Sequence, residues 1–240
     1  MDRAKYIPKI SVVMPVFNGA LTLPNAINSI LNQTMKEWEL IVVDDGSTDS
    51  TKQVVQSFKD FRISYYYMSH AGIVAARNRG NTLAKAEYIA MQDADDLSMP
   101  DRLEKSLAEM KKTGADVLYH GIYKNMWNTV HQCIDREYVP ALSFNKHVLV
   151  KRQYIPGVCI FKKKCWLAKP FRIETQFAFD WMMHLDWAFS GFMYRALDAG
   201  LYEYVRQESS SSAQFEREGK RQHCFEAIKE IMQKEYGIKS

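Results

Sequence analysis

The chain has 240 residues, 47% of them hydrophobic and 25% charged, which is enough apolar mass for a sizeable core and too much for a disordered segment. A formal net charge of +4 is too small for the electrostatic footprint of a dedicated nucleic-acid binder, so nucleic acid is excluded as a partner. Four cysteines without a C-x-x-C pair (Cys133, Cys159, Cys165, Cys224), and no apolar run near the roughly 18 residues that span a bilayer, predict a reduced cytoplasmic protein whose only membrane contact is peripheral, at the inner face.

In chain order, short β-branched runs alternate with segments of helical spacing, the pattern of consecutive βαβ units and a parallel sheet. Strands are expected at Ile10 to Val16, Glu39 to Val43, Ile63 to Met68, Tyr88 to Met91 and Asp116 to His120. Between the first two, Thr22 is placed to cap a helix with Pro24 in its first turn and Ala26, Ile27, Ile30 and Leu31 on one face. A second helix, Thr51 to Phe58, should bury Val54, Val55 and Phe58. A third, from Asp101, carries Leu103, Leu107 and Met110 and stops at Gly114. Past Gly121 the alternation decays. From Tyr138 to Ile173 there are eight Lys or Arg and no Asp or Glu, and after the run Ser209 to Ser212, read as a hinge or lid, Phe225, Ile228, Met232 and Tyr236 recur at the spacing of an amphipathic helix.

Ligands of an open parallel sheet bind outside the carboxyl ends of its strands, where loops and helix N-termini converge. Those ends read PVFNG (Pro15 to Gly19), DDGSTDST (Asp44 to Thr51), GIVAARNRG (Gly72 to Gly80) and DADD (Asp93 to Asp96). Three carboxylates in four residues repel one another unless a cation or donors offset them. That pattern suits a hard divalent ion, although the tetrapeptide by itself is read first as Asp95 and Asp96 capping the next helix. No G-x-G-x-x-G or G-x-x-x-x-G-K-[ST] is present, which argues against a dinucleotide fold or P-loop.

The order and spacing of SVVMPVFNG, ELIVVDDGSTDST, GIVAARNRG and YIAMQDADD, with MPDRL just after, resembles the nucleotide-binding half of family 2 glycosyltransferases. The resemblance covers about the first 120 residues. It implies an α/β GT-A type fold, a mostly parallel sheet flanked by helices with a C-terminal helical extension. Residues 1–120 would be the nucleotide-sugar-binding half, 121–212 the acceptor and catalytic-base half of the same domain, and 213–240 the C-terminal amphipathic helix. It also implies that Phe17 stacks on uracil in a pocket shaped by Pro15 and Asn18, that Asp45 accepts the uracil N–H, and that Gly72 and Arg77 flank the nucleotide. Asp93 would hold the ribose, and Asp95, with Ala94 beside it in the D-x-D motif, would bind Mn²⁺ or Mg²⁺. Asp44 and Asp96 are read as structural neighbours.

Downstream, FAFDWMMHLDWAFSG resembles the family's base-bearing segment, with Phe179 where members carry Glu and Asp180 in the place of the base. A base is needed because an acceptor hydroxyl attacks an anomeric carbon poorly while it keeps its proton. His184 and Asp186 are its neighbours and rivals. Lys162 to Lys164, within the basic 144–172 stretch, aligns with the acceptor-side region and could meet an acceptor pyrophosphate, an anionic membrane or only solvent. Arg206 is a candidate for the donor phosphates. The function implied is metal-dependent, inverting transfer of a hexosyl or N-acetylhexosaminyl unit from a UDP-sugar to an acceptor hydroxyl of a growing glycan or lipid-linked saccharide, in surface polysaccharide assembly. The alternatives are a sugar-nucleotide nucleotidyltransferase, disfavoured because VFNGALTLPNA holds no Lys or Arg, and a non-catalytic carbohydrate-binding protein on the same fold.

Overall fold

The structure, a computed structural model, describes residues 6–128, 133–175, 178–205 and 220–238. Strands β1 (Ile10–Val16) and β2 (Trp38–Asp44) are buried along their whole length, as expected of central strands covered on both faces, which read as nearly unbroken apolar runs. The polar pair inside them is satisfied: Ser11 Oγ donates to Glu39 Oε1 at 2.7 Å. With β3 (Ile63–Tyr67) and β4 (Tyr88–Met91) they form the parallel ladder β3-β2-β1-β4. The remaining strands are β5 (Leu97–Ser98), β6 (Val117–Asn128), β7 (Cys133–Val139), β8 (Ile160–Lys162) and β9 (Tyr194–Val205). They extend the sheet in the order β8-β6-β9-β5, with β7 paired to β6.

The fifth expected strand therefore differs from its expectation in two ways. β6 runs on to Asn128 and does not lie beside β4, because β8, from far downstream, inserts antiparallel to both. It regains a parallel partner only in β9. Sequence periodicity sees a strand but not a neighbour delivered by a later segment.

Successive strand residues face opposite sides of the sheet, and two apolar layers follow. Ile10, Val12 and Met14 pack with helix α1 (Leu23–Leu31) and helix α4 (Arg102–Thr113) through Ala26, Ile27, Ile30, Leu103, Leu107 and Met110. On the other face Val13, Ile41 and Val43 pack with helix α3 (Ile73–Leu83), helix α5 (Lys146–Lys151) and helix α7 (Phe179–Phe189). Helix α2 (Thr51–Ser57) buries Thr51 and Val55, whereas Val54 and Phe58 are only half-buried. Thr22 holds the N-cap position of α1 without a side-chain cap bond; its hydroxyl turns back to Gly19 O instead. Gly114 ends α4 in the left-handed conformation at φ 75°, which a glycine adopts without a Cβ penalty. Helix α6 (Lys163–Ala168) follows β8 directly.

The C-terminal helix α8 (Lys220–Tyr236) buries Ile228 and Met232 in the α7 layer. It is also clamped there by charge. Arg172 donates to both oxygens of Asp186 on α7 at 2.8 and 2.7 Å and to both oxygens of Glu235 on α8 at 2.7 Å, while Tyr236 Oη donates to Asp186 Oδ1 at 2.6 Å. Ser209 to Ser212 and Arg206 lie outside the described residues. Cys159 and Cys165 are free and buried. Among the described residues no helix is long and apolar enough to cross a membrane.

Candidate active site

Because β1 to β4 are parallel, their carboxyl ends open on one edge, and the segments after them meet there. Pro15 is buried within β1, opposite Val43 of β2. Phe17, just past the strand, is 50% exposed. Asn18, at φ 51°, joins two loops: its amide donates to Ser47 Oγ at 2.8 Å, and its Oδ1 accepts from Thr48 N at 2.8 Å. Asp44 is occupied as a structural neighbour should be, accepting from Ser47 N at 2.7 Å and from Tyr65 Oη at 2.6 Å.

Asp45 is more enclosed than its expected role suggests, at 3% exposed. Its Oδ1 accepts from Ala71 N at 2.8 Å and its Oδ2 from Gly72 N at 2.9 Å. Gly72, at φ 94°, presents that amide as the N-cap of α3, a conformation costly for any residue with a Cβ. His70, which no motif singled out, has its ring 4.5 Å from Phe17 at 34° and its Nδ1 2.9 Å from Asp45 Oδ2.

The carboxylate loop after β4 is held from beneath. Gln92 Nε2 donates to the carbonyls of Asp93 and Asp96 at 3.0 and 2.9 Å, and its Oε1 accepts from Ser98 Oγ and Arg102 Nη1 at 2.6 and 3.1 Å. Arg102, wholly buried, also donates to Met91 O, Val158 O and His120 Nε2 and lies over the Tyr202 ring. Tyr202 Oη in turn accepts from Asp93 N at 3.0 Å. Gln92 and Arg102 stand in the motifs YIAMQDADD and MPDRL, yet nothing in their types announced this scaffold. Only their burial reveals it.

Asp95 and Asp96 do not cap the next helix: α4 starts at Arg102 with Asp101 in the cap position. Asp96, 1% exposed, accepts from Val205 N at 2.8 Å. Burial raises the Asp95 carboxyl to about 6, with Asp93 adding to it. Burial and the charges of Asp93 and Asp95 raise Asp96 to about 8. Such a donor set, all oxygen and self-repelling, fits a hard divalent cation, whose charge would offset both effects. Among the described residues no three His, Cys, Asp or Glu side chains converge as a complete metal cage, so an ion here would need ligands from elsewhere.

Arg77 ties this loop to the second half. It is 3% exposed and reaches Asp93 Oδ1 at 2.5 Å, while its guanidinium carbon lies 4.1 Å over the Phe179 ring. Its Nε and Nη1 are buried without a hydrogen-bond partner among the described residues. Phe179 opens α7, so Asp180 follows within the same turn. The Asp180 carboxyl is partly buried and accepts from Trp181 N at 2.9 Å and from the side-chain amide of Gln153. Its β-carbon crowds Gly157, where an added Cβ would approach to 2.9 Å. Burial raises its proton affinity above the ordinary aspartate value, against the lowering pull of the Trp181 amide and Arg77.

The rivals of Asp180 are accounted for elsewhere. His184 is fully buried between Tyr194 Oη and Pro156 O, and burial holds its pKa down to about 4. Asp186 is engaged by Arg172 and Tyr236. Much of the basic stretch is also occupied internally. Lys162 and Lys164 reach Asp116 Oδ1 at 3.1 and 2.7 Å, and Lys163 donates to Ala84 O. Lys151 and Arg152, by contrast, are exposed immediately before Gln153.

An open cavity of about 270 Å³ lined by Asp44, Ser47, Asp49, Lys52, Gln53, Tyr65 and Tyr67 lies to one side. It includes none of the carboxylate loop.

The sequence model of the glycosyl transferase family 2 matches residues 11–200. UDP-Glc:alpha-D-GlcNAc-diphosphoundecaprenol beta-1,3-glucosyltransferase WfgD of Escherichia coli is 36% identical over 111 residues, 46% of this chain and 44% of that protein. The chain spans less than half the length of the curated relatives it matches. Among solved structures, Staphylococcus aureus TarS 1–349 in complex with UDP-GlcNAc superposes with a TM-score of 0.72 at 21% identity, over 85% of this chain and 60% of that one. Mannosyltransferase PcManGT of Pyrobaculum calidifontis, in complex with GDP-Man and Mn²⁺, gives 0.70 at 17%, over 93% and 64%. The fold is thus of the GT-A glycosyltransferase type.

Proposed function

From the premise that the chain belongs to glycosyl transferase family 2, we propose that it transfers a sugar, with inversion, from a UDP-sugar to an acceptor hydroxyl. The acceptor in this reading is a growing glycan or lipid-linked saccharide of surface polysaccharide assembly, and the unit moved is a hexosyl or N-acetylhexosaminyl group. The observation that carries it is the bridge made by Arg77, which contacts Asp93 of the carboxylate loop and Phe179 beside Asp180. That contact supports reading the carboxylate loop, suited to a departing diphosphate, and Asp180, suited to a proton acceptor, as parts of one site.

Phe17 and Asp45 bind the base in this reading, Asp93 the ribose, and Asp95, with the donor's phosphate oxygens, a Mn²⁺ or Mg²⁺ ion. That ion would neutralise charge on the leaving nucleoside diphosphate. Asp180 takes the proton from the acceptor hydroxyl as it attacks the face of the sugar opposite the leaving group, so no covalent enzyme intermediate is needed. Burial supports that role by raising proton affinity, and Gln153 orients the carboxylate. The reacting centre gains oxocarbenium character, and fixed charge, not a nucleophile, is what the protein supplies. Lys151 and Arg152, exposed beside Gln153, are suited to an acceptor phosphate.

A screen of nucleotide sugars for metal-stimulated hydrolysis tests the reading without knowledge of the acceptor. UDP-sugars should be cleaved slowly with Mn²⁺ and not in EDTA. No turnover of any nucleotide sugar, with or without metal, would overturn it.

A further inference from the structure

We propose that His70 stands in for the nucleobase in the free protein and gates the base site. The proposal rests on the reading of Phe17 and Asp45 as the pair that binds the base. A nucleobase at such a site presents a π-face to an aromatic ring and a ring N–H to a carboxylate. His70 already presents both. Its imidazole lies 4.5 Å from the Phe17 ring at 34°, within the range of offset aromatic pairs. Its Nδ1 is 2.9 Å from Asp45 Oδ2 and 2.9 Å from Asp45 O. A carboxylate and a carbonyl only accept, so the proton is assigned to Nδ1, which donates to them.

Two consequences follow from size and burial. Sliding a base between the Phe17 and His70 rings would need two contacts of about 3.5 Å each, and the present separation leaves no room for it. Asp45 is 3% exposed, shut in by His70 and by the amides of Ala71 and Gly72, so no base reaches it until His70 leaves. The imidazole is free to leave: its side chain is 59% exposed, it sits in the strandless segment after β3, and that segment ends at Gly72 with φ 94°. The two backbone amides stay on Asp45 when His70 swings out, holding the carboxylate in place for the incoming N–H.

The test is UDP binding to His70→Ala by calorimetry and stopped flow, with Phe17→Ala and Asp45→Asn made in both backgrounds. Removing a gate raises apparent affinity by the inverse of the open fraction. An aromatic pair of this kind corresponds to about a three- to tenfold tighter Kd with faster association. If His70→Ala binds UDP equally or more weakly while Phe17→Ala and Asp45→Asn weaken it, the gate is wrong and the base site stands. If Phe17→Ala and Asp45→Asn bind UDP like the unmodified protein, the base site itself has been misplaced and the gate falls with it.

Discussion

At the scale of single residues, the same physical effect, burial of a carboxyl group, yields two different chemical opportunities. Asp180 is raised by burial, against the pull of Arg77 and its hydrogen-bond donors, and its raised proton affinity suits a base. The Asp180→Asn variant should therefore keep its KM for the nucleotide sugar and lose turnover by about 10²- to 10⁴-fold, since the amide keeps the shape and accepts no proton. Steady-state kinetics decide the matter, and near-normal transfer by the variant would exclude the assignment. Because a base must be ionised, transfer by the unmodified protein should fall as pH drops through a midpoint above the ordinary aspartate value, the direction in which burial moves Asp180. Asp95 is crowded by Asp93 and partly buried, so its charge is relieved by a cation. UDP affinity should be higher in Mn²⁺ than in EDTA, and Asp95→Ala should remove most of that difference in titration calorimetry. Equal affinity of the unmodified protein in both conditions would contradict the metal assignment.

At the scale of elements, the site depends on how closely α3 lies on the sheet. Gly80 is the point of closest approach: a Cβ there would stand 2.3 Å from Val13 Cγ1 of β1. Val13 is fully buried and has nowhere to move. Gly80→Ala should thus lift α3, and with it Gly72 and Arg77, at a cost of about 1–3 kcal/mol, offset slightly by the better helix propensity of alanine. Urea denaturation measures it. A variant as stable as the parent would show that the helix is not seated on Val13. The motif GIVAARNRG consequently seats the helix on β1 through Gly80 and ties it to the carboxylate loop through Arg77. α7 is fixed by different means, through the fork of Arg172 between Asp186 and Glu235, which explains why Asp186, on the same helix as Asp180, is committed to structure.

For the molecule as a whole, buried histidines make acid a threat. His120 and His184 are held neutral, burial lowering them to about 3 and about 4, with the Arg102 charge adding to the effect on His120. Unfolded histidines titrate near 6.5. Between that value and the folded values the unfolded state binds more protons, so stability falls with falling pH, by roughly 2 kcal/mol per histidine at pH 5. Asp95 and Asp96, raised to about 6 and 8, act in the opposite sense, since protonating them relieves buried charge. The histidine contribution is isolated by comparing urea midpoints at pH 7 and 5 for the parent and His184→Asn. The variant should lose less stability on acidification, and an identical loss would mean that His184 is protonated in the folded state.

The local elements and the family were legible in the amino-acid order. The boundaries of β1 and β4, the stop of α4 at Gly114 and the site-bearing strand ends were legible because they depend on periodicity, turn chemistry and short-range order. Family resemblance added expected roles for Phe17, Asp45, Asp95 and Asp180, which no single motif could have supplied. Tertiary structure alone decided what lies across from what. The insertion of β8 beside β4, the contact of Arg77 with Phe179 and the seat of His70 on Phe17 each join segments far apart in the chain. Residue type does not encode such partners, because the letters for His70 and Arg77 read the same whether the side chain is exposed or buried, until packing assigns its neighbours. Enclosure likewise separated Asp180 from His184 and Asp186: the three share one helix, but His184 is fully buried and Asp186 is held by Arg172 and Tyr236, while Asp180 stays partly exposed, and such surroundings come from the fold.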